Sequence, residues 1–185
     1  MSYKKGQAVM EYLITYGLAL FVILIVLAIL VAVVLPSLQA PETCQFTQPG
    51  FGCSTQKHVL VSDENNMVNL LFRLDNQQGK SVTILGVLCS SASTGDIRKS
   101  DFEDNNEAIS ITEPMAAGSS LSFGGTGADI AQEIVCIDES GNPVLLSPGS
   151  NFKGTLAIMY EFAEEVPGAP ERIAVATVTG NTQAE

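Results

Sequence analysis

The pattern of apolar and polar positions divides the chain near residue 36. The tract 18–35 is 18 residues long and carries no charged or polar side chain. A helix of that length reaches about 27 Å, close to the ~30 Å hydrocarbon core of a bilayer. Because such a helix is apolar on every face, only lipid or a bundle of like helices can cover it.

Beyond residue 36 the period changes from that of a helix to that of strands. Apolar residues recur at every second position from Val68 to Leu74, which predicts a strand with one strongly apolar face. The segment 75–80 predicts a turn, and the apolar run after it suggests a hairpin. Eight short strands are predicted in all, at residues 59–61, 68–74, 81–89, 108–112, 119–123, 133–137, 155–162 and 172–179.

Eight short strands at these spacings are typical of a sandwich or barrel, and no segment after Leu35 predicts a helix. Pro36 predicts the end of the helix, and residues 36–42 a linker. We therefore expect an α+β chain in which one long N-terminal hydrophobic helix is followed by an antiparallel β-sandwich head of immunoglobulin-like type, at residues 43–185.

Two loop segments each admit a second interpretation. The acidic run 101–107 predicts a solvated loop, and a calcium loop is the alternative, although the ordered Asp and Asn spacing of such loops is absent. Residues 124–127 are glycine-rich but lack the Gly-Lys-Ser/Thr ending of a phosphate loop. They predict a flexible turn.

Charge excludes one class of partner and orients the chain. The formal net charge is −11 at pH 7, and a surface that acidic repels nucleic acid. Lys4 and Lys5 precede the apolar tract, where positive charge favours the cytoplasmic side. The residues after Pro36 are then expected outside the cell.

All four cysteines lie beyond the apolar tract, on the side where disulfides persist. Four cysteines allow three pairings. We favour Cys44 with Cys53, because the turn-rich segment 48–52 between them brings the ends together, which leaves Cys89 with Cys136. A metal site that joins the first pair to His58 is the alternative, but its spacing lacks the short gaps of structural zinc sites.

The residues that catalysis needs are scarce. One histidine and no nucleophile-elbow serine argue against a hydrolase triad, and the Glu164-Glu165 pair predicts a charged strand end. We therefore expect no enzyme activity, no cofactor and no metal.

The N-terminal segment carries a motif. Residues 4–13 have the sequence Lys-Lys-Gly-Gln-Ala-Val-Met-Glu-Tyr-Leu, which resembles the class III signal peptide of archaeal type IV pilin-like proteins. The resemblance implies that a membrane-embedded prepilin peptidase cuts between Gly6 and Gln7, so that residues 1–6 are a leader with Lys4 and Lys5 as its charges. Residues 7–35 would then anchor the chain in the membrane and later form the filament core.

Glu11 is the only acidic residue before Glu42. A carboxylate beside an apolar helix is costly unless it is paired. Cleavage would create an amine on Gln7, which shares a helix face with Glu11. That amine could meet its own Glu11 or that of a neighbouring subunit, where the pair would set the register. Alternatively, Glu11 lies favourably near a helix N-terminus at the headgroup level.

Three functions follow as expectations. The first is a structural subunit of a pilus-like surface filament that serves adhesion, with further copies of the chain, the prepilin peptidase and the assembly machinery as partners. The second is an archaellin-type subunit of a motility filament. The third is a membrane-tethered extracellular binding module that never polymerises. The first two place the precursor in the cell membrane and the product in an extracellular filament.

Overall fold

The computed structural model describes residues 3–37, 41–54, 58–103, 107–166 and 168–185. Within the first range it describes the side chains of residues 10–32. The chain forms two compact units, Met1–Gln39 and Ala40–Glu185. Residues 38–40 of the expected linker lie outside the described residues.

The first unit is one helix, α1 (Tyr3–Ser37). The span Met10–Ala32 is long and apolar enough to cross a membrane, and none of it is buried inside the chain. The helix continues through Pro36, where the sequence predicted its end. A proline in the last turn removes one backbone donor while the preceding hydrogen bonds still hold the turn.

The second unit contains ten strands and a one-turn helix in the part of the chain that the structure describes. They are β1 (Thr43–Phe46), β2 (Phe51–Cys53), β3 (Val59–Ser62), β4 (Val68–Asn76), β5 (Val82–Ser90), α2 (Ser100–Glu103), β6 (Ile109–Met115), β7 (Ser120–Phe123), β8 (Cys136–Ile137), β9 (Asn151–Phe162) and β10 (Arg172–Ala184).

The strands form one mixed sheet in the order β2-β4-β3-β10-β9-β5-β6, with β1 beside β10, β7 beside β4 and β8 beside β5. The expectation of a purely antiparallel head is wrong, because β10 pairs in parallel with β3 and β5 in parallel with β8. The 13-residue β10 extends beyond its antiparallel ladder with β9, and its end, from Thr182 to Ala184, lies beside β3.

The predicted hairpin between β4 and β5 is also wrong. β4 pairs with β2, β3 and β7, whereas β5 pairs with β6, β8 and β9. The buried Asn76 ends β4, and its Nδ2 donates to the carbonyl oxygen of Lys80 at 2.8 Å and lies 3.2 and 3.1 Å from those of Met115 and Ala116. These contacts fix the turn, which therefore directs the chain away from β4.

One core cluster takes side chains from distant parts of the sheet. Leu70 and Phe72 of β4 belong to the same buried cluster as Leu156 and Ile158 of β9. The sheet therefore bends over a shared core. The alternation predicted for β4 is confirmed, because every second side chain from Val68 to Leu74 is buried.

The short helix α2 corrects the expectation of a loop at residues 101–107 and of no helix after Leu35. Its Phe102 is only 8 % exposed and packs with Leu88 and Ala157, in a second cluster apart from the main core. The backbone N–H of Arg98 donates to Asp101 Oδ2 at 2.7 Å, which stabilises the turn that begins the helix. Residues 104–106 of the acidic run lie outside the described residues.

Candidate functional site

The motif residues Lys4, Lys5, Gly6 and Gln7 lie in the first turns of α1. The structure describes their backbone, and the side chains of these positions lie outside the described residues. Gln7 and Glu11 are four positions apart in one helix, so they share a face. The backbone thus places positions 7 and 11 about one helical turn apart.

Glu11 lies in the N-terminal part of α1, before the uninterrupted apolar tract. Its side chain is exposed, and its backbone carbonyl oxygen accepts a hydrogen bond from Thr15 Oγ1. The rings of Tyr12 and Tyr16 stack with their centroids 5.4 Å apart. The Thr15 hydrogen bond is made to the Glu11 backbone and does not involve the carboxylate.

The described side chains of α1 present a large exposed apolar surface. Its large apolar side chains between Met10 and Val31 are 43 to 66 % exposed. Each side chain of this kind is worth about 1.5–3 kcal/mol when it is removed from water. The helix therefore needs lipid or other helices around it.

The cysteines form two disulfides with the pairing that we favour from the sequence. Cys44–Cys53 joins β1 to β2, and Cys89–Cys136 joins β5 to β8. Such bonds are typical of extracellular proteins. Together with the apolar helix, they suggest an anchored or secreted chain whose second unit lies outside the cell.

The alternative of a metal site at these cysteines is wrong. Cys44 and Cys53 are bonded to each other, and His58 is buried with Nε2 donating to the Thr179 carbonyl oxygen at 2.9 Å. No group of three or more His, Cys, Asp or Glu side chains in the described ranges could hold a metal ion.

The charged strand end predicted around Glu165 is an ion pair. Arg172 donates from Nη1 and Nη2 to the two carboxylate oxygens of Glu165 at 2.7 and 2.8 Å, and its guanidinium lies 4.7 Å from the ring centroid of Phe162. The hydrogen bonds from Arg172 lower the pKa of Glu165. The pair thus closes the turn between β9 and β10.

Comparison with known proteins adds no relative. The sequence matches no protein-family model and no curated protein. Any function therefore rests on the chain's own residues.

A cavity of about 410 Å³ lies in the second unit, and sequence reasoning missed it. We call it the outer groove, and its lining includes Val61, Asn69, Leu71, Glu133 and Glu185 together with the glycine turn at 124–126. The signal in the sequence was Asn69, a polar residue between buried neighbours in β4. Alternation alone assigns such a position to the outward face of a strand, and the structure shows that it is covered.

Proposed function

We propose that the chain is a structural subunit of an archaeal type IV pilus-like surface filament that serves adhesion. The observation that carries the proposal is α1, which exposes an apolar surface on every side from Met10 to Ala32 directly after the Lys5-Gly6-Gln7 motif. A helix of this kind is stable in lipid before assembly and among copies of itself afterwards.

In this proposal the precursor is inserted in the membrane and trimmed by the prepilin peptidase between Gly6 and Gln7. The helix then moves from lipid into a bundle of identical helices, which is tolerable only because its neighbours replace the lipid contacts. The new amine of Gln7 pairs with Glu11 of a neighbouring subunit. That pair sets the axial register, the best attested use of a buried ion pair.

The second unit forms the outer surface of the filament, and we infer that it is an immunoglobulin-like β-sandwich. A sheet whose distant strands share one buried cluster supports two layers over a common core. The two disulfides suit an extracellular position. The net charge of −11 keeps such a surface soluble.

The test is Glu11→Ala, with Thr15→Val as the matched control on the same helix face. The Glu11→Ala chain is expected to be trimmed, so that N-terminal sequencing of the membrane fraction starts at Gln7, while sheared surface material contains no filaments. Thr15→Val keeps the Glu11 carboxylate and is expected to leave filaments intact. Filaments built from the Glu11→Ala chain would contradict the intersubunit pair.

The membrane-tethered binding module is the second candidate, because Met10–Ala32 is also long enough to act as a plain anchor. N-terminal sequencing together with electron microscopy of sheared surface material distinguishes it, since a tethered module keeps residues 1–6 or stays in lipid as a monomer and forms no filaments. An archaellin-type subunit differs in phenotype, because deletion of its gene abolishes swimming and leaves attachment unchanged.

A further inference from the structure

β1 is the strand through which the chain enters the second unit, and it is weakly packed. It pairs with β10 alone among the described strands, over the four residues from Thr43 to Phe46. None of its side chains is fully buried, because Thr43 and Gln45 are exposed and Cys44 and Phe46 are half-buried. A strand with so little buried apolar surface opens at a low free energy, while well-packed strands stay closed.

The hydrogen bonds on either side of β1 are exposed to water. Thr179 Oγ1 donates to the Pro41 carbonyl oxygen at 2.7 Å and lies 2.7 Å from Thr43 Oγ1. Just after β1, Thr47 donates to the Val175 carbonyl oxygen from its backbone N–H at 2.9 Å and from Oγ1 at 3.0 Å. Because water can replace such hydrogen bonds, their net contribution to stability is small. These contacts alone therefore hold β1 only weakly.

The Cys44–Cys53 disulfide ties β1 to β2, which pairs with β4 and not with β10. Both of its cysteines are half-buried, whereas Cys89 and Cys136 are fully buried. Thiol–disulfide exchange requires that the attacking thiolate reach a sulfur, so a reductant reaches the first disulfide more readily than the second. The bond that restrains the weakly packed strand is therefore also the accessible one.

We propose that the Cys44–Cys53 disulfide is a redox-sensitive switch, and that its reduction by a dithiol releases residues 43–47 from the sheet while the rest of the second unit stays folded. One thiolate of the dithiol attacks a sulfur of the disulfide and forms a mixed disulfide. The second thiol then closes a ring, so the dithiol is oxidised and its two hydrogens pass to Cys44 and Cys53.

Release of β1 lengthens the connection between α1 and the sheet. The five residues 43–47 add roughly 17 Å of fully extended chain to the segment that follows α1. The switch lies wholly within Ala40–Glu185. It does not depend on filament assembly, so it stands or falls separately from the proposed function.

The experiment treats the full chain in detergent micelles with increasing dithiothreitol, alkylates the free thiols and identifies them by peptide mass spectrometry. Cys44 and Cys53 are expected to be alkylated at concentrations that leave the Cys89–Cys136 disulfide intact. Hydrogen exchange of the β1 backbone amides is then expected to accelerate about tenfold or more, while that of β9 changes within about twofold. Alkylation of all four cysteines together, or unchanged exchange in β1 after selective reduction, would overturn the proposal.

Two variants separate the disulfide from the hydrogen bonds beside it. The double variant Cys44→Ala/Cys53→Ala is expected to show fast exchange in β1 without reductant and to be cut by chymotrypsin after Phe46, with β9 still protected. Thr179→Val removes both hydroxyl contacts and keeps the disulfide, so its exchange in β1 is expected to stay within about threefold of the unchanged chain. Equal release of β1 in the two variants, or loss of protection in β9 of the double variant, would contradict the switch.

Discussion

At the scale of single residues, buried polar side chains hold the loops of the second unit against its strands. Ser62 Oγ donates to the Leu146 carbonyl oxygen at 2.6 Å, and Thr182 Oγ1 to that of Ser147 at 2.8 Å. Asn76 Nδ2 and His58 Nε2 likewise donate to backbone carbonyl oxygens, those of Lys80 and Thr179. Asn69 differs from these residues because its Oδ1 has no partner among the described residues.

Replacing Asn69 with leucine is expected to stabilise the free protein. The substitution removes an unsatisfied acceptor and adds an apolar side chain beside Val61 and Leu71, so the gain is about 1–3 kcal/mol. Chemical unfolding of the full chain in detergent, followed by circular dichroism of its strands, measures the difference. A loss of stability would show that the Asn69 amide is already satisfied in the free protein.

Two glycines differ sharply in the space around them. A Cβ added at Gly154 would lie 2.4 Å from the Ser90 carbonyl oxygen, whereas one added at Gly95 would meet nothing within 4 Å. Gly154→Ala is therefore expected to destabilise the fold by about 1–3 kcal/mol through overpacking. Gly95→Ala is the control, with a change within about 0.5 kcal/mol. Chemical unfolding followed by circular dichroism measures the change in stability of both variants. Equal changes for Gly154→Ala and Gly95→Ala would contradict the close packing of β9 on β5.

At the scale of elements, the hydrophobic pattern predicts what depends on local sequence. The alternation from Val68 to Leu74 predicts β4, and the uninterrupted tract predicts the body of α1. β1 and β2 have only four and three residues, too few for a period to be visible. The turn at 75–80 is predicted correctly, but its direction, set by the contacts of Asn76 with Met115 and Ala116, and the parallel pairing of β10 depend on contacts distant in sequence, so the pattern could not predict them.

Of the two candidate sites, the N-terminal motif depends on local sequence and the outer groove depends on the fold. Lys4, Lys5, Gly6, Gln7 and Glu11 lie within one short motif, so its family resemblance is enough to predict the processing and assembly positions, and these stay predictions. The outer groove brings together residues from β3, β4 and the segments near 125 and 133. Only the topology of the sheet makes them neighbours, so inspection of the sequence could not find that site.

The two disulfides are expected to contribute unequally. Cys89–Cys136 closes a separation of 47 residues and Cys44–Cys53 one of 9 residues. On the chain-entropy model the first contributes about 4 kcal/mol and the second about 2.6 kcal/mol. Chemical unfolding of the two double Cys→Ala variants measures each loss. A larger loss on removing Cys44–Cys53 would contradict the model.

Acid is expected to loosen the turn at Asp138. Its Oδ1 accepts the backbone N–H groups of Ser140 and Asn142 at 2.8 and 2.9 Å, and these hydrogen bonds lower its pKa from 3.8. A carboxyl whose pKa is lowered by folding contributes stability above pH 3.8, and this is lost as the pH falls through its value in the folded state.

The unfolding midpoint as a function of pH tests this loss. Asp138→Asn removes the titrating group, so its midpoint is expected to fall less steeply below pH 3.8 than that of the unchanged chain. Ser140→Ala keeps the backbone donor and is expected to keep the acid sensitivity. Identical profiles for Asp138→Asn and the unchanged chain would contradict the role of the turn.

At the scale of the whole molecule, the two units have opposite requirements. Met10–Ala32 exposes an apolar surface whose contact with water is unfavourable, while Ala40–Glu185 has its own buried cores and two disulfides. The second unit therefore needs no lipid, and the first needs either lipid or other helices. The filament that we propose, with helices inside and the second unit outside, would satisfy both requirements.

The most direct measurement is a cryo-electron microscopy map, with traceable side chains, of filaments sheared from cells that make this chain. The account predicts a central bundle of α1 helices whose density begins at Gln7, with Glu11 within reach of the Gln7 amine of a neighbouring subunit. It would be contradicted if the filaments contained no copy of this chain while the polypeptide was recovered from the membrane as a monomer that still begins at Met1.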